Sequence, residues 1–105
     1  MPQFVVYRNP NPATRDRFPL LLDVQNDLLA ELGTRVVVPL APATRLPAPP
    51  MTQLTPVLRL EGTDYVMLAP QLAGIPRRLL GESVADLSSR RDDILAALDF
   101  LVTGY

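Results

Sequence analysis

The chain has 105 residues, 48% of them hydrophobic and 20% charged, with a formal net charge of −1. That describes one globular domain over residues 1–105 and excludes both a disordered segment and a broad phosphate-binding face, which needs a basic surface. There is no Cys and no His, so thiol nucleophiles, disulfides, zinc fingers and the commonest general base are missing.

Gln3 to Arg8 reads as a first strand, rich in β-formers at Phe4, Val5, Val6 and Tyr7. Asn9 to Arg17, with Pro10 and Pro12, is expected to be a mobile loop. Leu20, Leu21, Leu22 and Val24 form a second apolar run, interrupted at alternate positions by Asp23 and Gln25. Asn26 to Leu32 is compatible with a helical turn or a loop. Thr34 to Leu40 is a third strand, and Pro39 predicts that it lies at an edge or a bulge.

Residues 41–53 hold Pro42, Pro47, Pro49 and Pro50 and predict a loop. Pro56 to Glu61 and Asp64 to Ala69 then form a hairpin about Gly62-Thr63. Ile75 to Leu80 is one more short strand, with Pro76 at an edge. From Asp86 the period changes. Leu87, Ile94, Leu95, Leu98, Leu101 and Val102 recur at helical spacing, with Asp86 or Ser88 as N-cap and Gly104 as C-cap. The last fourteen residues, DDILAALDFLVTGY, are apolar to the end. A tip of that composition is expected to be covered by its own core, a second copy or a partner. Strands followed by one late helix give a mainly β (α+β) domain.

No constellation predicts catalysis, a metal or a cofactor. Asp92 and Asp93 are neighbours on a helix and do not face one another. Gly62, Gly74 and Gly81 form no phosphate-binding pattern. All ten cations are Arg, a compositional habit more than a site, since only Arg77-Arg78 and Arg90-Arg91 are adjacent. Thr34-Arg35 is the one pair that suits a ribonuclease, in which Arg stabilises a phosphorane. An exposed strand-edge pair fits it better. The start, MPQFVVYRNP, has no leader pattern and no run spans a membrane, so a cytoplasmic protein without a membrane partner is expected.

LLLDVQNDLL, TRVVVPLA and GESVADLSSRRDDI, in that order before the terminal helix, resemble the CcdB toxins of bacterial toxin–antitoxin modules. The resemblance implies an SH3-like small antiparallel barrel of the CcdB/MazF type with a C-terminal α-helix, working as a homodimer. It implies a non-enzymatic poison that binds the A subunit of DNA gyrase and traps the cleaved-DNA complex. It also implies neutralisation by a CcdA-like antitoxin, which carries the DNA contact itself.

The implied gyrase-contact positions are Phe4, Leu28, Leu29, Asp99, Thr103, Gly104 and Tyr105. Relatives carry Trp at the position of Thr103, Ile at Tyr105 and Asn at Asp99. Losing the Trp removes a cation–π contribution of roughly 0.5–2 kcal/mol. Read without the resemblance, Leu28 and Leu29 fit a core, Phe4 an inward strand position, and Thr103 to Tyr105 a helix cap. Arg15, Arg17 and Arg45 suit an acidic antitoxin segment, or plain solubility. The alternatives are a MazF-like endoribonuclease and a CcdB homologue that has lost gyrase poisoning.

Overall fold

The structure, a computed structural model, describes residues 2–29, 32–47, 50, 51 and 53–104. Its strands are β1 (Val5–Arg8), β2 (Leu20–Asp23), β3 (Thr34–Pro42), β4 (Val57–Leu60), β5 (Thr63–Met67), β6 (Ala73–Pro76) and β7 (Ser83–Asp86), followed by the helix α1 (Arg91–Thr103). All pairings are antiparallel. The order β4-β5-β3-β2-β1-β7, with β6 also on β3, curls into a half-barrel closed at one side by α1.

Alternation along the strands explains why they read as unbroken apolar runs. Val6, Leu20, Leu22, Val38 and Leu40 face the main core with Leu58, Met67, Ile94 and Ala97. Val5, Tyr7, Leu21 and Val37 point to the other face and are buried there as well. A sheet covered on both faces loses the polar half of the period-two signal. The helix presents Ile94 and Ala97 to the core and packs Leu95, Leu98 and Leu101 against its rim.

Several expectations need correction. The first strand begins at Val5, not Gln3, because Phe4 takes a left-handed backbone (φ 69°). Its N–H donates to the carbonyl of Asp23 at 2.6 Å and its carbonyl accepts from Leu87 N–H at 2.8 Å. Those bonds hold a conformation that costs a non-glycine residue on the order of 1–3 kcal/mol. Pro39 is not at a sheet edge. β3 has β2 on one side, and on the other it passes from β6 (Thr34–Val37) to β5 (Leu40–Pro42). The Pro39 carbonyl accepts from Leu68 N–H at 3.1 Å on that second side, so the missing donor falls where the partner strand changes.

β3 also continues to Pro42, two residues into the expected loop. The hairpin turns on Glu61-Gly62, both at positive φ (51° and 82°), one residue earlier than expected. Paired positive φ is the two-residue turn that matches strand twist. Finally, Ile75 to Leu80 is a strand only to Pro76, and Ser83–Asp86 forms a seventh strand that the sequence pattern did not reveal. The Asn9 to Arg17 loop, expected to be mobile, is stitched by Asn9. Its Nδ2 donates to Thr14 Oγ1 and to the Phe18 carbonyl, while its Oδ1 accepts from Asn11 N–H.

Candidate functional site

The segment after β2 makes a single 3₁₀ turn, Asp27–Leu29. Asn26 Oδ1 accepts from Leu28 N–H at 2.8 Å and the Asn26 carbonyl accepts from Leu29 N–H at 2.9 Å. These bonds leave the side chains outward: Leu28 is 91% exposed and Leu29 49%. The reading of both as core is overturned. Gln3, just before β1, secures the turn. Its N–H donates to Asp27 Oδ1 at 2.6 Å and its Nε2 to the Val24 carbonyl at 3.1 Å.

The far end of α1 is a second display. Asp99, Thr103 and Gly104 are exposed, and Val102 is 81% exposed. Thr103 Oγ1–H donates to the Asp99 carbonyl at 2.7 Å, and Gly104 N–H donates to the Phe100 carbonyl at 2.9 Å. Gly104 ends the helix in the left-handed conformation (φ 78°), as its position predicted. No basic residue stands in the last turn. The negative end of the helix dipole and the Asp99 carboxylate therefore add, which suits a cation on a partner. Beside this end a groove of about 390 Å³ is lined by Met51, Gln53, Leu54 and Phe100. Tyr105 lies outside the described residues.

Phe4 is not part of either surface. It is 3% exposed and belongs to the core. The Arg91 guanidinium stands 5.8 Å from the centre of its ring, at the start of α1. Among the expected antitoxin contacts, Arg17 and Arg45 share one groove of about 430 Å³ with Phe18, Leu46 and Leu68. Arg45 donates to the Asp16 carbonyl at 2.6 Å and Arg17 stacks over Phe18 at 5.2 Å. Arg15 is exposed but does not line that groove.

Thr34-Arg35 is not an exposed pair. Thr34 is exposed, but Arg35 is fully buried and its Nε donates to Asp23 Oδ2 at 2.7 Å, both side chains having no exposure. Sequence reasoning missed this buried polar cluster, although Asp23 and Gln25 at alternate positions in an apolar run were its signal. Asp93 accepts from Arg90 and Asp92 is exposed, so they form no carboxylate pair. Among the described residues no group of three or more His, Cys, Asp or Glu is placed to hold a metal ion. No helix there is long and apolar enough to cross a membrane.

A family model described as "CcdB protein" matches residues 3–104. Among solved structures, the fold is similar to a chain described as "Endoribonuclease in complex with its cognate antitoxin from Mycobacterial species". That match has a TM-score of 0.74 at 18% sequence identity and covers 97% of this chain and 95% of that one. At this identity the likeness establishes the small-barrel architecture alone.

Proposed function

The chain belongs to the CcdB family, among the toxins of toxin–antitoxin modules, and on that premise we propose that it poisons DNA gyrase by binding the gyrase A protein. It acts in the cytoplasm as a homodimer, by contact and not by catalysis. Leu28 and Leu29 supply apolar contact, Asp99, Thr103 and Gly104 supply the helix tip, and Tyr105 is a further contact in this proposal. The observation that carries this reading is Leu28: a leucine 91% exposed on a hydrogen-bonded turn. A large apolar side chain presented this fully, with a second apolar display at the helix end, is the make-up of a protein interface. Phe4 contributes from beneath, by fixing the start of β1.

A CcdA-like antitoxin neutralises the toxin in this proposal. The groove between Arg17 and Arg45 combines apolar walls with two exposed guanidiniums, which suits an acidic, partly apolar segment. Arg15 would extend the basic rim.

The test is capture of the purified gyrase A central fragment by intact protein and by protein ending at Val102. Intact protein binds and, with gyrase and DNA, yields linear plasmid. The shortened form keeps its circular-dichroism spectrum and loses both activities. Equal capture by the two forms would sink the helix-tip reading. A second reading, an endoribonuclease, draws on the activity named for the solved neighbour. Arg35, the arginine the sequence favoured for it, is inside the protein. RNA cleavage by the purified protein without gyrase would reinstate it. Normal growth on overexpression of soluble protein would instead favour a homologue without poisoning activity.

A further inference from the structure

Asp23 and Gln25 are buried polar residues that the proposed function does not use. They sit where β2 gives way to the turn carrying Leu28 and Leu29. Asp23 Oδ2 holds Arg35, and its other oxygen accepts from Gln25 N–H at 3.0 Å. Arg35 Nη2 donates to the Gln25 carbonyl at 3.4 Å. The ion pair thus grips the main chain of Gln25 on both sides. The Gln25 side chain is then used twice. Its Oε1 accepts from Val36 N–H at 3.0 Å, and its Nε2 donates to the Leu29 carbonyl at 2.9 Å. A side-chain amide has the acceptor and the donor that these two partners require; a carboxylate or a hydrocarbon of the same length does not.

We infer that Gln25 is a positioning residue for target binding: it ties the rigid β3 strand to the exposed turn and presents Leu28 and Leu29 already ordered. This rests on the reading of those leucines as gyrase contacts. A contact loop fixed before association does not lose its freedom at the moment of binding, which strengthens the complex without adding a contact. Gln3 and Asn26 shape the same turn from its start, whereas Gln25 holds its last carbonyl.

The discriminating variant is Gln25→Glu, which keeps the acceptor for Val36 and removes the donor to Leu29. Its affinity for the gyrase A central fragment falls about tenfold, the equivalent of one net hydrogen bond. In a background carrying Leu28→Ala and Leu29→Ala the same change leaves affinity unaltered, because Gln25 acts through those side chains. Amide exchange at Leu29 and Leu32 quickens while the core strands exchange as before. An equal loss in both backgrounds, or unchanged exchange at Leu29 and Leu32, overturns the role.

A measurement on the unaltered protein guards against a variant that fails to fold. The amides of Leu29 and Leu32 exchange about tenfold more slowly than that of Leu46. Leu46 closes the Ala43–Arg45 turn, which has no side-chain cap. Equal rates overturn the tether. Wild-type protein that does not bind the fragment overturns the gyrase reading and this role with it. A Gln25 effect independent of the leucines overturns this role alone.

Discussion

Leu22 in β2 and Leu28 in the turn that follows it stand six positions apart and differ completely in exposure, at 0% and 91%. Replacing Leu22 by Ala opens a hole beside Val6 and Val38. Truncations of this kind cost roughly 2–5 kcal/mol. With about 4–8 °C of Tm per kcal/mol for a domain of this size, the variant melts at least about 8 °C lower. Leu28→Ala removes the same atoms from water and changes stability by no more than about 0.5 kcal/mol. Its cost falls on association. Three carbons lost from a buried contact, at about 0.8 kcal/mol each, amount to about 2.4 kcal/mol, a weakening of up to roughly fiftyfold in Kd. Thermal melts at two protein concentrations and calorimetric titration with the gyrase A fragment measure both quantities. If Leu28→Ala melts as low as Leu22→Ala, the turn is packed and not displayed. If both its Tm and its affinity equal those of the parent, Leu28 contacts nothing that matters for this target.

Further expectations follow from the backbone and the buried phenol. A Cβ on Gly81 would lie 2.7 Å from the Arg8 carbonyl oxygen, so Gly81→Ala forces β7 away from β1 and lowers unfolding stability in urea by about 1–3 kcal/mol; an unchanged midpoint would remove that contact from the account. Gly104→Ala meets open space and costs only its left-handed backbone, about 1–2 kcal/mol, visible as faster exchange of the last helical amides; no change there would mean that the helix ends otherwise. Burial, and after it the Asp23 carboxylate, raises the Tyr7 phenol above its ordinary value, with Arg35 opposing. A raised folded-state value contributes stability that is complete below about pH 10 and is lost as pH rises through the raised value. Tyr7→Phe therefore flattens the alkaline limb of a stability–pH curve, and parallel curves for the two proteins would assign that limb to another group.

How far the sequence was legible depended on whether a signal was local. The body and end of the helix were, because Ile94, Leu98 and Leu101 repeat at its period and Gly104 caps it; its start was not, since Arg90, and neither Asp86 nor Ser88, stands at the N-cap. The hairpin was, within one residue, because Gly62 demands a tight turn; the first turn position belongs to Glu61, a residue with no preference for positive φ. β7 was not. Ser83–Asp86 is four residues long, carries one large apolar side chain and is defined only by pairing with β1, more than seventy positions away in sequence. Phe4 is not legible locally, because its left-handed backbone depends on Asp23 and Leu87, neither of which a local pattern can reveal. The exposed leucines were ambiguous for a similar reason: apolar residues in a short turn read as core until the turn's hydrogen bonds are known to hold them outward.

The barrel does not decide what this protein attacks, since the solved neighbour named as an endoribonuclease has the same architecture at 18% identity. The disposition of charge is more informative. A guanidinium that stabilises phosphate chemistry must reach its substrate, and Arg35 is sealed inside against Asp23. Exposed Arg8 and Arg59 and half-buried Arg90 are matched with Glu82, Asp64 and Asp93, and exposed Arg17 and Arg45 are engaged by the Phe18 ring and the Asp16 carbonyl. The displayed helix end is negative, through Asp99 and the dipole together, and its neighbouring surface at Val102 is apolar. A polyanion is repelled from such a tip, whereas a protein surface that offers an apolar socket and a cation is attracted to it. Asp99 then acts in the direction of the proposed target: it deepens the negative potential that a gyrase cation would meet at the helix end.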